Sequence, residues 1–400
     1  MKKLLIASAA LAMVAGTAQA QSSVTVYGVL DIGVSEVKNN VTSDAGVTTN
    51  NKISNTGNGD GSLATSRLGF RGTEDLGKGR KANFQLEYDL TDAGTGSTRG
   101  DGSTASLTTG STFANLGARY SWVGLEDAKL GQLRLGQQET TMHSVFVAGL
   151  AGAANNAIGS VYSAGDTVNS ISNNDASIRP YDVFVSRAIT YISPVISGVR
   201  FEVQSANYST SVTGPGAPAQ PNADLRNSLN AASLKYSFGK LNLAAAIQTR
   251  KLDNSATIND VVTRESEALT ANYDFGVVRA FGVYATDKTS QRDGVTRDAK
   301  TTEIGLQLPM GKTMLWASAY EGDRKGTGLH TGTSGAGFTS NTANRNADTN
   351  GFQVGIRNDL SKRTALYAIY GKQEVKGTAA ENNRGNIEST GMSVGVRHSF

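Results

Sequence analysis

From Val24 onward the chain alternates between polar and apolar side chains. In KANFQLEYDL the residues Lys81, Asn83, Gln85, Glu87 and Asp89 are polar, whereas Ala82, Phe84, Leu86, Tyr88 and Leu90 are apolar or aromatic. A period of two predicts an extended strand with one wet face and one dry face. The same reading fits SRLGFRG (Arg67, Gly69 and Arg71 against Leu68 and Phe70), QLRLGQ (Gln132, Arg134 and Gly136 against Leu133 and Leu135) and VRFEVQ (Arg200, Glu202 and Gln204 against Val199, Phe201 and Val203). It recurs in SLKYSF, LTANYDF, EIGLQL and FQVGIR. In VVRAFGVYAT, KTMLWASAY and RTALYAIYG apolar residues fall on both parities, a pattern that bulges, subunit contacts or small inward residues would each produce.

Connections between these strands alternate in length. TEDLGKGR, EDAKLGQ, SPVISG, SFGK, YDFG, LPMGK and NDLSKR are tight, with Gly, Asp or Asn in turn positions. Long polar stretches separate them, at 38–64, 93–115, 138–182, 208–226, 252–264, 288–299, 324–348 and 376–387. Seven short turns and eight long loops join sixteen strands. The expected fold is all-β, a transmembrane antiparallel β-barrel with short periplasmic turns, long extracellular loops, an apolar lipid face and a polar lumen. A soluble sandwich or propeller would bury one face of each strand in a core and would not need this rhythm. The end of the chain fits a barrel. GMSVGVRHSF sets Met392, Val394, Val396, His398 and Phe400 on one side, and VTVYGVLDIGV sets Val24, Val26, Leu30, Ile32 and Val34 outward, so the last strand is expected to close onto the first.

Composition narrows the class further. Of 400 residues 46 are Gly, 6 Pro and none Cys, and 18% are charged, which is too polar for a helical membrane protein and too glycine-rich for a helical bundle. Lys2 and Lys3, the apolar run Leu4 to Gly16 and Ala18-Gln19-Ala20 predict an export signal over 1–20, with the barrel occupying 21–400. A formal charge of +4 over the whole chain argues against a nucleic-acid partner.

No catalytic, cofactor or metal constellation is legible. His143, His330 and His398 lie far apart, Cys is absent, and GTGLHTGTSGAG falls in a long loop, not between a strand and a helix. The candidate chemistry is therefore the lumen itself, where inward charges set an electrostatic preference among passing ions. Strand parity turns Arg67, Arg71, Lys81, Glu87, Asp89, Arg119, Arg134, Arg200 and Glu202 inward. Arg71 and Arg134 lie close to periplasmic turns, which favours structural roles for them. The stretch 138–182 carries VFVAGLAGAANNAIGSVYSAG, small and apolar residues better suited to packing inside the barrel wall than to a surface loop. Its carboxylates are few (Glu139, Asp166, Asp175 and Asp182), so the pore is expected to lean toward anions. Tyr88, Tyr120, Trp122, Tyr236, Phe238, Tyr273 and Phe275 fall on the outward parity, as an interfacial girdle or a subunit interface would require.

SSVTVYGVLDIGV, SRLGFRGTEDLGKGRKANFQLE, YSWVGLEDAKLGQLRLGQ, ITYISP, LSKRTALYAIYGK and GVRHSF together resemble the general porins of Gram-negative outer membranes, most closely the beta-proteobacterial type. The resemblance spans nearly the whole of 21–400. It implies a homotrimer of sixteen-stranded barrels in the cell outer membrane, among outer-membrane lipid and lipopolysaccharide, passing small hydrophilic solutes and ions by passive diffusion. It also implies a third long loop folded inward, constriction arginines at Arg67 and Arg119, a wall carboxylate at Glu87, and a terminal strand read by the outer-membrane assembly machinery. A third family arginine is replaced here by Phe184, and Arg187 falls on the outward parity. Two other kinds of channel or barrel stay open. A substrate-specific channel would line its lumen with aromatic residues, and a structural or adhesive barrel would not conduct. An outer-membrane enzyme would need a Ser/His or Asp/His pair on the rim, for which three scattered histidines are poorly placed.

Overall fold

The computed structural model describes residues 23–42, 46–57, 62–90, 117–152, 157–161, 182–212, 223–254, 261–291, 296–330, 340–344, 346–378 and 386–400. The expected export signal at 1–20, the stretch 93–115 and the loop carboxylates Asp166 and Asp175 lie outside the described residues. In chain order the elements begin with β1 (Ser23–Thr42), β2 (Thr48–Gly57), β3 (Arg67–Gly77), β4 (Arg80–Asp89), β5 (Ala118–Asp127) and β6 (Gly131–Glu139). A helix α1 (Thr141–Ala148) follows, then β7 (Phe184–Ile192), β8 (Val199–Val212), β9 (Ala223–Phe238), β10 (Leu241–Asn254), β11 (Val261–Asp274) and β12 (Arg279–Gln291). The chain ends with β13 (Thr296–Met310), β14 (Thr313–His330), β15 (Ser340–Asn344), β16 (Asn346–Asp359), β17 (Thr364–Thr378) and β18 (Asn386–Ser399).

All of these strands join one antiparallel sheet that closes on itself. β1 pairs with β18 from Val29↔Ser399 to Thr42↔Asn386, and with β3 from Ser23↔Thr73 to Val29↔Arg67. Among the described residues β2 pairs only with β1, and β15 only with the far end of β14, so both are hairpin extensions and sixteen strands make the wall. Closure removes the unpaired edge that hydrocarbon could not satisfy. The final residue takes part in it: Gly28 N donates to Phe400 O at 3.0 Å and Phe400 N donates back to Gly28 O at 3.1 Å.

The alternation read along β1 and β18 is the alternation between faces. Val24, Val26, Ile32, Val34, Met392, Val394 and Val396 are exposed on the outer wall, whereas Asp31 and Ser389 are fully buried on the inner side. Tyr236 and Phe238 stack at 6.3 Å and Tyr273 and Phe275 meet at 4.6 Å, with Phe238 and Phe275 exposed beside their tight turns. Aromatic side chains at that level suit the boundary between hydrocarbon and water.

Two expectations need correction. Several stretches read as long loops are largely strand: β12 runs to Gln291 and β13 starts at Thr296 within 288–299, and β10 and β11 leave only 255–260 between them within 252–264. Once a hairpin rises clear of the membrane both faces are wet, so the period of two fades while backbone pairing continues. Tyr120 and Trp122, expected outward, face the lumen. Arg119 has no partner on β4, because Glu87 pairs with Tyr120 and Tyr88 with Ala118. That bulge shifts the parity of β5 by one residue, so Val123 and Leu125 are the exposed outer positions.

The three strands with apolar residues on both parities also find their explanation. Their inward apolar side chains lie beneath α1 and the segments around it. Val283 and Ala285 of β12 and Tyr320 of β14 pack with Met142, Val145 and Phe146 of α1, all three of them fully buried. Trp316 of β14 with Tyr367 and Ile369 of β17 cluster with Ala157. Inside the barrel, then, the wall from β8 to β18 carries a second, internal core.

The seam supplies a stability test. A Cβ on Gly28 would fall 2.3 Å from Phe400 Cζ and 2.7 Å from the Arg67 carbonyl oxygen. Gly28→Ala is expected to cost about 1–3 kcal/mol, read as a lower guanidinium midpoint for loss of the β-sheet circular dichroism signal of the detergent-solubilised barrel.

Candidate functional site

The bulge on β5 places Arg119 and Tyr120 side by side on the inner face, and adjoining strands complete a charged cluster. Arg119 Nε donates to Glu87 Oε1 at 2.7 Å and its Nη1 to Asp89 Oδ1 at 3.1 Å, so one guanidinium spans two inward positions of β4. Arg67 of β3 approaches Glu87 from the other side at 3.6 Å, and its Nη1 donates to Thr65 O at 3.2 Å. Tyr27 of β1 donates to Glu87 Oε2 at 2.9 Å and accepts from Gln85 Nε2 at 2.7 Å. Glu87 is thus encircled by donors. Its side chain is 4% exposed while that of Arg67 is 25% exposed, so water in the lumen meets the cation first.

A second irregularity lies at the same level two strands on. Gly136 pairs with Ala188 and Gln138 with Val185, so Ser186 and Arg187 together oppose Gln137. Arg187 is left-handed at φ 57° and its guanidinium lies 4.1 Å from the Tyr208 ring centroid. Simple parity therefore fails on β7: Val185 and Ala188, three residues apart, pack in one cluster. Phe184 lies edge-on to Tyr120 at 5.4 Å and beneath the Arg119 guanidinium at 4.8 Å. Tyr120 donates to Glu139 Oε2 at 2.7 Å, and Glu139 Oε1 contacts His143 Nδ1 at 2.5 Å.

Of the residues expected from the sequence, Arg67, Glu87, Asp89 and Arg119 converge. Arg71 joins them indirectly, 5.2 Å above the ring of Tyr27. Arg134 stands apart on β6, its Nε donating to Gln132 at 2.8 Å and its guanidinium lying 4.4 Å over Trp122. Asp31 was missed. It is fully buried and accepts from Tyr367 OH at 2.7 Å, Leu63 N at 2.9 Å and Ala64 N at 2.7 Å. Its odd position in VTVYGVLDIGV, opposite the outward valines, was the available signal.

Across the lumen the residues 140–152 and 157–161 lie along the inner wall, held through their own backbone and that of Glu139. Gln204 Nε2 donates to Glu139 O at 3.0 Å, Asn272 Nδ2 to Ala148 O at 3.3 Å, Gln307 Nε2 to Ala151 O at 2.7 Å and Gln353 Nε2 to Ala157 O at 3.1 Å. Lys235 Nζ reaches Ser144 Oγ at 3.0 Å and Thr141 Oγ1 lies 2.6 Å from Ser233 Oγ. Glu303 of β13 closes the series, Oε2 accepting from Val161 N at 2.7 Å and Ser160 Oγ at 3.1 Å. Irregular backbone inside a barrel has no ladder of its own, and these side chains supply its partners.

Glu303→Ala leaves the Val161 amide without its acceptor. Hydrogen exchange in peptides covering 157–161 is expected to quicken about tenfold, as loss of a hydrogen bond worth roughly 1–3 kcal/mol predicts, while peptides from the wall strands keep their protection.

The chain is similar to known proteins over its whole length. The family model described as Gram-negative porin matches residues 7–378. An outer membrane porin protein of Bordetella pertussis is 30% identical over an alignment of 429 residues that covers 100% of both chains. Among solved structures, an anion-selective porin from Comamonas acidovorans superposes with a TM-score of 0.62 at 22% identity, covering 95% of this chain and 100% of that one. The trimer form of OmpT, an outer membrane protein of Vibrio cholerae, gives a TM-score of 0.58 at 15% identity, covering 95% and 99%.

Proposed function

Because the chain belongs to the family of Gram-negative porins, we propose that its channel is an anion-leaning general diffusion pore, narrowest between the Arg67 and Arg119 side chains and the residues 140–152 and 157–161. It is an outer-membrane channel for small hydrophilic solutes and ions. The observation that carries the charge preference is an asymmetry of exposure. Among the described residues of 140–152 and 157–161 there is no carboxylate, and on the opposite wall Glu87 sits behind the arginines that bind it. A passing ion meets the Arg67 guanidinium ahead of Glu87 on one side and residues without a carboxylate on the other. One unit of unbalanced charge in a wet, screened pore is worth about 1 kcal/mol.

The same family frame supports the rest of the reading. Cleavage after Ala20 yields a barrel of 21–400, three copies associate as in the trimer form of OmpT of Vibrio cholerae, and the terminal strand ending in Phe400 addresses the assembly machinery. The outer wall then meets lipid and lipopolysaccharide. A substrate-specific channel gains one observation, the inward Tyr120, Trp122 and Phe184. Phe184 and Trp122 are capped by Arg119 and Arg134, and Tyr120 is edge-on to Phe184 and bound to Glu139, so the rings form no open track, which favours general diffusion.

The test is single-channel conductance and reversal potential in a planar bilayer under a tenfold KCl gradient. Stable steps in groups of three and an anion-selective reversal are expected. Arg119→Ala should lower the anion-to-cation permeability ratio more than Arg67→Ala, about fivefold or beyond for roughly 1 kcal/mol per charge, since it also strips Glu87 and Asp89 of their cation. A cation-selective wild type would overturn the charge preference, and a folded barrel without conductance would overturn the diffusion pore.

A further inference from the structure

The charged belt extends past Arg67 across the seam of the barrel. On the inner face Asp31 of β1 stands opposite Arg397 of β18, Arg397 opposite Ala365 of β17, and Ala365 opposite Asp359 of β16. The two carboxylates of this row are already engaged. Asp31 accepts from Tyr367, Leu63 and Ala64, and Asp359 is bound at 3.0 Å by Arg357, its neighbour two residues back on the same strand. Glu87, beyond β1 and β3, is occupied by Arg119 and Tyr27.

Arg397 is left over. Among the described residues it makes no hydrogen bond and no ion pair, and its Nε is buried without a partner. The charges it feels include two more guanidiniums, Arg67 and Arg357, besides Asp31 and Asp359. Two strand spacings, about 10 Å, separate its Cα from those flanking strands, a gap that two arginine side chains can close. Only Ala365, a single methyl group, stands between Arg397 and Asp359 on the wall. A guanidinium offers five donors in a fixed planar fork, and leaving them unmatched in a partly buried position is costly.

We propose that Arg397, flanked by Arg357 and Arg67, forms a holding station for a small oxyanion on the lumen wall. The proposal rests on the anion-leaning reading of the pore and adds a saturable site to it. Chloride, spherical and weakly hydrogen-bonding, passes the station without being held. A tetrahedral oxyanion such as inorganic phosphate matches the fork and rests there.

Single-channel conductance measured against concentration, in potassium phosphate and separately in KCl, tests this. Wild type should saturate in phosphate and rise nearly linearly in KCl. Arg397→Gln should raise the half-saturating phosphate concentration about tenfold, as loss of a charged hydrogen bond predicts, while its KCl reversal stays anion-selective through Arg67 and Arg119. Arg397→Lys keeps the charge but not the fork; it should also weaken saturation, and it serves if the glutamine variant does not fold. Arg200→Gln removes one charge from the facing wall and should leave saturation in place. Unsaturated phosphate conductance in an anion-selective wild type would overturn the station alone, as would saturation unchanged in both Arg397 variants or lost equally in Arg200→Gln. A cation-selective wild type would remove the station and the anion-leaning reading together.

Discussion

Backbone hydrogen bonding across the seam between β1 and β18 is the interaction on which everything else in this molecule depends. In hydrocarbon an unpaired N–H or C=O costs several kcal/mol, so a spanning sheet must have no edge. Fourteen successive residue pairs, from Val29↔Ser399 to Thr42↔Asn386, meet that demand. Closure then fixes two faces with opposite solvents. It is why a terminal Phe bonds back to Gly28, and why one strand parity is apolar and the other charged.

A closed wall also decides where a long connection with apolar side chains can go. Met142, Val145 and Phe146 would be exposed above the rim, yet within the barrel they meet Ala244, Ala246, Ala268, Val283 and Ala285. Those wall positions are small, and their small size makes the space that α1 fills. Polar inward residues between them, Gln204, Asn272, Gln307 and Gln353, bind the carbonyls of the segment. Wall and segment are therefore complementary in both currencies, apolar area and hydrogen bonds, and the position of the segment belongs to the fold as much as any strand does.

This complementarity explains what the sequence made legible and what it hid. Strands facing open lumen, such as β4 with Lys81, Asn83, Gln85, Glu87 and Asp89, alternate cleanly and could be read residue by residue. Strands lying under the segment, β12, β14 and β17, carry apolar residues inward and lost their signature for that reason. The other failures lie at bulges. One extra residue at Arg119 reversed the parity of Tyr120 and Trp122, and the left-handed Arg187 broke that of β7. Nothing in local composition marks a bulge, because its cause is the register of two strands distant in sequence. Arg67, Glu87, Asp89 and Arg119 nevertheless come together on the inner face as their parity implies, since each is inward whether or not the strand above it is regular.

The electrostatic character of the lumen follows from pairing and not from counting. A carboxylate that accepts two or three hydrogen bonds presents little of its charge to a passing ion, while an arginine bound through one edge keeps its other donors free. Glu87 and Asp31 belong to the first kind. Arg67 and Arg397 belong to the second, one held by a 3.6 Å contact and one carbonyl bond, the other by nothing among the described residues. Buried acids thus act as struts that position the basic groups around the seam. The burial of Glu87 and Asp31 leaves Arg67 and Arg397 the more exposed groups beside the seam.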